Sequence, residues 1–92
     1  MKVNICGIPH EVEIKDDAFT ASEMHMGEIR YKECKIILST GMNKDLEKET
    51  LIHEMIHGIF VHLGYNNMAS DETLVQSLAQ AINQGFDVKE VR

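Results

Sequence analysis

The sequence lacks a long apolar run, and this excludes a membrane-spanning helix. No stretch of its 92 residues approaches the roughly 20 consecutive apolar residues that are needed to cross a bilayer. The first fifteen residues hold only a short apolar run, broken by Asn4 and Gly7, and they do not resemble a signal peptide. We therefore expect a cytoplasmic protein that does not associate with a membrane.

Basic residues are few relative to acidic ones. Nine Lys and Arg residues stand against fifteen Asp and Glu, which gives a formal net charge of -6. A protein that binds nucleic acid needs a basic face to displace the counterions of the phosphates. The acidic balance therefore excludes nucleic acid as an expected partner, and it equally argues against binding to an anionic membrane surface.

Cysteine is scarce, and its spacing excludes the usual cysteine sites. Cys6 and Cys34 are the only two, 28 positions apart, which matches neither a paired zinc motif nor a redox pair. Free thiols are therefore expected, as is usual in the cytoplasm. At 92 residues the chain is expected to form one domain, residues 1–92, with a thin core, so that a bound metal would also contribute to stability.

The pattern of apolar residues changes near residue 42. Before it, residues alternate as in strands; after it, they recur at the three- and four-residue steps of helices. Strands are expected at 1–6, 10–14, 27–31 and 34–39, with a loop at 15–26. The sequence therefore predicts an α+β domain with about four strands followed by two helices.

The two predicted helices carry recognisable ends. Asn43 is expected to cap the first helix, which runs to about Leu63, and Gly64 supplies the left-handed residue that commonly ends a helix. A loop is expected at 65–69. Ser70 is then expected to cap the second helix, which ends at Gly85.

Two histidines one helical turn apart form the motif with the clearest chemistry. His53 and His57 stand at positions i and i+4 of the first helix, so both imidazoles lie on one face and can converge on one ion. Glu54 points about 100° round the helix, from where it can reach a metal-bound water without ligating the metal. This is the division of roles in HExxH sites, which have two zinc ligands and a general base.

A catalytic zinc usually has three protein ligands, and the sequence offers several residues for the third position. Glu72, which opens the second helix fifteen residues after His57, is the preferred one. Asp71 is its nearest rival, although a carboxylate there is typical of a helix terminus. His62 lies about 140° round the helix from His57 and is expected to face away. Four residues of the strand half cannot be placed from sequence: Cys6, His10, His25 and Cys34.

Residues 50–57, TLIHEMIH, together with residues 71–75, DETLV, resemble the small gluzincin-type proteins of phages and bacteria, relatives of the minigluzincins and of the ImmA/IrrE-like metallopeptidases. The resemblance implies a zincin-like fold, in which a small antiparallel sheet is backed by an active-site helix and by a second helix carrying a glutamate ligand. It implies Zn²⁺ as the cofactor. It also implies that His53, His57 and Glu72 are the ligands and that Glu54 is the general base.

The same resemblance implies how a substrate is bound. In zincins an edge strand often pairs with the main chain of the substrate, and residues 27–31 and 34–39 are both open for that role. Small members of the family lack the second subdomain that walls the cleft, and this chain is expected to lack it too, which favours a narrow target or autoproteolysis. The group that stabilises the developing oxyanion is left open among four residues: Tyr31, Tyr65, His25 and Arg30.

The expected function is therefore that of a zinc-dependent metallopeptidase, which hydrolyses a peptide bond of a narrow protein or peptide substrate through a metal-bound water activated by Glu54. The alternative is a zinc-stabilised zincin scaffold, catalytically weak or inactive, that binds a protein partner. A third reading is a plain α+β domain without metal, in which His53 and His57 are incidental. Nothing in the sequence indicates the oligomeric state.

Overall fold

Five strands and three helices make up the described part of the chain, residues 1–16 and 26–91 of this computed structural model. The strands are β1 (Lys2–Ile5), β2 (Ile8–Lys15), β3 (Gly27–Arg30), β4 (Lys35–Ser39) and β5 (Glu90–Val91). The helices are α1 (Lys44–Leu63), α2 (Asn66–Ala69) and α3 (Glu72–Asn83). The α+β class predicted from the sequence is confirmed. The predicted loop at 15–26 lies largely outside the described residues.

The strands form one mixed sheet with the order β3-β4-β2-β1-β5. β2 pairs with β4 in parallel, and the other three pairs are antiparallel. The prediction of an antiparallel sheet is therefore wrong for the central pair, and the prediction of about four strands missed β5. The physical reason is that β3 and β4 form an antiparallel pair in which β4, and not β3, lies beside β2, so that β4 runs parallel to β2 and β3 lies at one edge of the described sheet.

A two-residue turn joins β1 to β2. Ile5 lies opposite Ile8, and the turn residues Cys6 and Gly7 have φ values of 50° and 82°. Positive φ at both positions is the geometry that suits the right-handed twist of a hairpin. The two strands therefore form a hairpin, in which β2 begins two residues earlier than the strand predicted at 10–14.

Helix α1 begins and ends at the predicted residues. The Asn43 side chain accepts a hydrogen bond from the Asp45 amide, and Gly64 is left-handed at φ 85°, so both caps are confirmed. None of the helices in the described part of the chain is both long and apolar enough to cross a bilayer.

The second half of the chain differs from the prediction at its connections. The segment predicted as a loop at 65–69 contains the short helix α2. The cap of α3 is Asp71, whose side chain accepts a hydrogen bond from the Leu74 amide, and not Ser70. Ser70 instead donates its hydroxyl to the carbonyls at the start of α2. Helix α3 ends at Asn83, two residues before Gly85.

Helix α1 lies between the sheet and α3 and contributes to two hydrophobic clusters. Leu51 packs with buried residues of the sheet, whereas Ile52 and Ile56 pack with Val75 and Ala79 of α3. The buried members on the sheet side are Val3, Ile5, Val12, Ile36 and Leu38. One helix therefore sets both the distance to the sheet and the position of α3.

Close approach of α1 to the sheet depends on Gly58. A Cβ atom added there would lie 2.9 Å from the Cδ1 atoms of both Ile29 and Ile5. Ile5 is fully buried, so its side chain has no open space to move into. Only glycine allows the helix to lie this close at this position.

We expect Gly58→Ala to lower the free energy of unfolding by about 1 kcal/mol, because overpacking costs roughly 1–3 kcal/mol and the better helix propensity of alanine offsets up to about 1 kcal/mol. Urea denaturation in the presence of a chelator measures this without a contribution from bound metal. Gly85→Ala is the matched control, since a Cβ there meets nothing within 4 Å. A Gly58→Ala variant as stable as wild type would contradict the packing argument.

Candidate metal centre

Helix α1 brings the two motif histidines together as predicted. The Nε2 atoms of His53 and His57 lie 3.1 Å apart, and the rings meet edge to face with centroids 4.8 Å apart. Positions i and i+4 of a helix lie on one face, one turn apart. Local geometry alone therefore accounts for this half of the site.

Glu72 completes the cluster from the first turn of α3. Its Oε2 atom lies 3.1 Å from Nε2 of His53, and its Oε1 atom lies 3.0 Å from Nε2 of His57. In the described part of the chain, these are the three residues whose ligand atoms form a group able to hold a metal ion. The structure thus brings together the three residues that the sequence singled out as ligands.

A backbone carbonyl determines which ring nitrogen of neutral His57 carries the proton. Its Nδ1 atom lies 2.6 Å from the carbonyl oxygen of Ala69, at the end of α2. A carbonyl oxygen can only accept, so Nδ1 donates and Nε2 of the neutral ring keeps its lone pair. The imidazole of His57 therefore presents an acceptor to the cluster.

His53 is oriented by a chain of two side chains. Its Nδ1 atom donates to Oε1 of Gln76 at 2.7 Å, and Nε2 of Gln76 donates to Oε2 of Glu49 at 3.4 Å. The carboxylate of Glu49 can only accept when ionised, which sets the amide so that its oxygen faces His53. His53 therefore also presents an Nε2 lone pair to the cluster.

With both histidines neutral, three acceptors thus converge on one point, and together they could hold a metal ion. Two imidazole nitrogens and a carboxylate are a ligand set that suits zinc. Zinc bonds of about 2.0–2.1 Å place neighbouring ligand atoms of a tetrahedral site about 3.3 Å apart. The three separations here are 3.0–3.1 Å, so a small outward movement of the side chains would make room for the ion.

Glu54 lies beside the cluster, directly after His53 on α1. The residue is 7% exposed and lines the same pocket as the cluster. Gly27 of β3 allows this arrangement: a Cβ atom there would lie 2.9 Å from Cγ2 of Thr50 and 3.4 Å from Cγ of Glu54. The edge strand therefore passes close to the carboxylate that the sequence named as a general base.

A pocket of about 570 Å³ contains the cluster. Helix α1, the start of α3 and strand β3 each contribute to its lining. Its residues are Met26, Gly27, Glu28, Ile29, Tyr31, Glu49, Thr50, His53, Glu54, His57, Glu72 and Gln76. An extended ligand in this pocket would contact both the cluster and the outer strand of the sheet.

Tyr31 lies in this pocket at the end of β3. Burial raises the pKa of its phenol, and the nearby carboxylates of Glu54 and Glu72 raise it further, because an ionised phenolate would be repelled by both. Tyr31 is therefore a protonated hydrogen-bond donor at neutral pH.

The other residues weighed as a third ligand are not part of the cluster. Asp71 caps α3, and His62 lies against His10, with ring centroids 5.8 Å apart. Cys6 and Cys34 are free thiols and, like His10, are not members of the described metal-binding group. His25 lies outside the described residues.

The sequence reasoning missed the three groups that orient the histidines, namely Ala69, Gln76 and Glu49. Two of them had a signal: Gln76 follows Glu72 by four residues, and Glu49 precedes His53 by four, so each lies one turn away on the same helix face. The Ala69 carbonyl had none, because its position depends on α2, which was predicted as a loop.

We expect Gln76→Ala to weaken binding of zinc by about 10- to 100-fold, because the ring of His53 loses the acceptor that fixes its orientation and tautomer. Competition titration against a chromophoric chelator measures the affinity. Gln80→Ala, at an exposed position one turn further along α3, is the matched control. Equal affinities for the two variants would show that Gln76 does not orient the ligand.

The chain was also set against known proteins. No family model matches it, and neither a curated protein nor a solved structure does.

Proposed function

We propose that this protein is a zinc-dependent peptidase with a narrow protein or peptide substrate. The observation that carries the proposal is the convergence of His53, His57 and Glu72 on one point, with the buried carboxylate of Glu54 in the same pocket. Two histidine ligands, one acidic ligand and an adjacent carboxylate form the set of groups that zinc-assisted hydrolysis requires.

His53, His57 and Glu72 would hold the ion. Zinc bound there would supply a Lewis acid that polarises a peptide carbonyl and lowers the pKa of a water molecule toward about 7. The hydrogen bonds from the histidine Nδ1 atoms to Ala69 and Gln76 keep both Nε2 atoms in the metal-binding tautomer. The site therefore needs no change of tautomer to accept the ion.

Glu54 would act as the general base. It adjoins a ligand residue along α1, so it faces the same pocket without joining the ligand group. In that position its carboxylate takes a proton from the attacking water and later delivers it to the leaving amine. Its burial keeps the proton transfer away from bulk solvent.

Strand β3 would hold the main chain of the substrate. It lies at one edge of the described sheet, opposite the β5 edge, and β4, the other strand left open by the sequence, is paired on both sides by β2 and β3. Gly27, Glu28 and Ile29 of β3 line the pocket that contains the cluster. A peptide added to this edge by β-augmentation passes directly beside Glu54 and the metal ligands.

The arrangement supports a zincin-like relationship as part of this proposal. A sheet backed by α1, with a glutamate supplied by a second helix, is the architecture that the resemblance to gluzincin-type proteins implied. The free thiols of Cys6 and Cys34 fit the proposed cytoplasmic location.

We expect one zinc ion per chain in protein purified without a histidine tag, measured by elemental analysis. His57→Ala should lose the ion and Glu72→Ala should bind it more weakly, because each removes one of three converging acceptors. His62→Ala, a change at the exposed end of the same helix, should keep it. A wild-type protein that takes up no zinc after incubation with stoichiometric metal at neutral pH would overturn the proposal.

We expect Glu54→Gln to lower kcat for peptide cleavage by about 100-fold or more, because the isosteric amide cannot accept the proton of the water. Its zinc content should equal that of wild type. Glu47→Gln, at a partly exposed position two turns earlier on α1, is the control and should cleave normally.

The same variant tests the alternative of a zinc-stabilised binding scaffold. If Glu54→Gln keeps full biological activity, the protein acts by binding a partner and the peptidase proposal fails. Loss of activity with zinc retained supports catalysis.

A further inference from the structure

Hydrolysis of a peptide bond places negative charge on the carbonyl oxygen in the transition state. Preorganised hydrogen-bond donors aimed at that oxygen commonly contribute 2.7–4 kcal/mol, or about 10²- to 10³-fold in rate. Zinc held by the three ligands would carry part of this charge, while the ligands and Glu54 supply no hydrogen-bond donor for the oxygen, which leaves that part of the role to another residue of the chain. The sequence left four residues open for it.

The structure shows which of these four residues lines the pocket that contains the metal-binding group. Arg30 is engaged in ion pairs with Glu28 at 2.7 Å and Glu33 at 3.7 Å and does not line the pocket. Tyr65 precedes α2 and does not line the pocket either. His25 lies outside the described residues. Tyr31 lines the pocket together with the whole metal-binding group.

We propose that the hydroxyl of Tyr31 donates the hydrogen bond that stabilises the oxyanion, a role that rests on the peptidase function proposed above. Tyr31 directly follows β3, so a peptide paired with that strand passes beside its side chain. On the other side of the bound peptide lie His53, Glu54 and His57 of α1, which line the same pocket. The phenol therefore approaches the scissile carbonyl from the strand, while the ligands and the base approach it from the helix.

The backbone at Tyr31 is held in place by the following turn. The amide of Cys34 donates to the Tyr31 carbonyl at 3.3 Å, and the thiol of Cys34 lies 3.7 Å from the same oxygen. Cys34 closes this turn with a left-handed conformation at φ 52°. The turn therefore fixes the backbone from which the Tyr31 side chain, 40% exposed, extends into the pocket, and a fixed starting point limits the freedom that the donor loses in the transition state.

The charges around Tyr31 keep it in the form that donates. Burial and the carboxylates of Glu54 and Glu72 raise the pKa of its phenol, so it carries its proton throughout the neutral range. A neutral donor also suits a pocket that contains several carboxylates, because it does not form an ion pair that would hold Glu54 away from the water.

The first experiment measures cleavage of a library of random octapeptides by zinc-loaded protein. Tyr31→Phe removes the hydroxyl and keeps the ring, so we expect kcat to fall by about 10²- to 10³-fold with little change in KM. Zinc content should not change. Tyr65→Phe is the matched control and should cleave as wild type does.

The second measurement does not depend on activity. A phosphinic analogue of the best-cleaved peptide carries a tetrahedral centre that resembles the transition state, and calorimetry gives its affinity for the zinc-loaded protein. We expect Tyr31→Phe to bind this analogue about 100-fold more weakly than wild type, and to bind the cleaved product peptide equally well.

Each other outcome overturns a distinct statement. Wild-type protein that binds zinc and cleaves no peptide overturns the peptidase function, and the role of Tyr31 with it. Normal cleavage by Tyr31→Phe overturns the role of Tyr31 alone and leaves the peptidase function standing. If Tyr65→Phe or His25→Gln then loses cleavage, that residue supplies the donor in place of Tyr31. Loss of cleavage in Tyr31→Phe with undiminished binding of the phosphinic analogue would make Tyr31 a structural residue.

Discussion

The close packing of α1 against the sheet is the constraint on which the rest of the molecule depends. Gly58 lets the helix approach Ile5 and Ile29, and Gly27 lets the outer strand approach Thr50 and Glu54. A larger residue at either point would push the helix outward. Because α1 also carries the core contacts to α3, the same packing determines where Glu72 arrives relative to the two histidines.

Hydrogen bonding then fixes the orientation of the two histidine rings in this site. Each histidine donates a hydrogen bond from Nδ1 to an acceptor outside the cluster. For His53 the acceptor is the amide oxygen of Gln76, and for His57 it is the carbonyl oxygen of Ala69. Two lone pairs and the carboxylate of Glu72 are left facing one another within 3.1 Å. A cation shared by these three acceptors would relieve their repulsion, which links the fold to the proposed zinc chemistry.

Part of the fold and of the candidate site could be predicted from the sequence, because it depends only on residues close together along the chain. The caps Asn43 and Gly64 and the shared face of His53 and His57 follow from helix geometry over a few residues. Strand order could not be predicted: the alternating pattern shows which residues are buried but not which strand lies beside β2, so the parallel β2–β4 pair was missed. The cap of α3 was misplaced by one residue, since Ser70 and Asp71 are both good caps.

By itself, the sequence determined the helix that carries the motif, the positions of its two histidines and the candidate base, because a helix repeats every 3.6 residues whatever surrounds it. Only the tertiary structure decided that Glu72, rather than Asp71 or His10, joins them, that β3 rather than β4 lies at a sheet edge, and that Tyr31 lies in the pocket while Tyr65 does not. These are contacts between segments distant along the chain, and they depend on how α1, α3 and the sheet pack together, which no local pattern encodes.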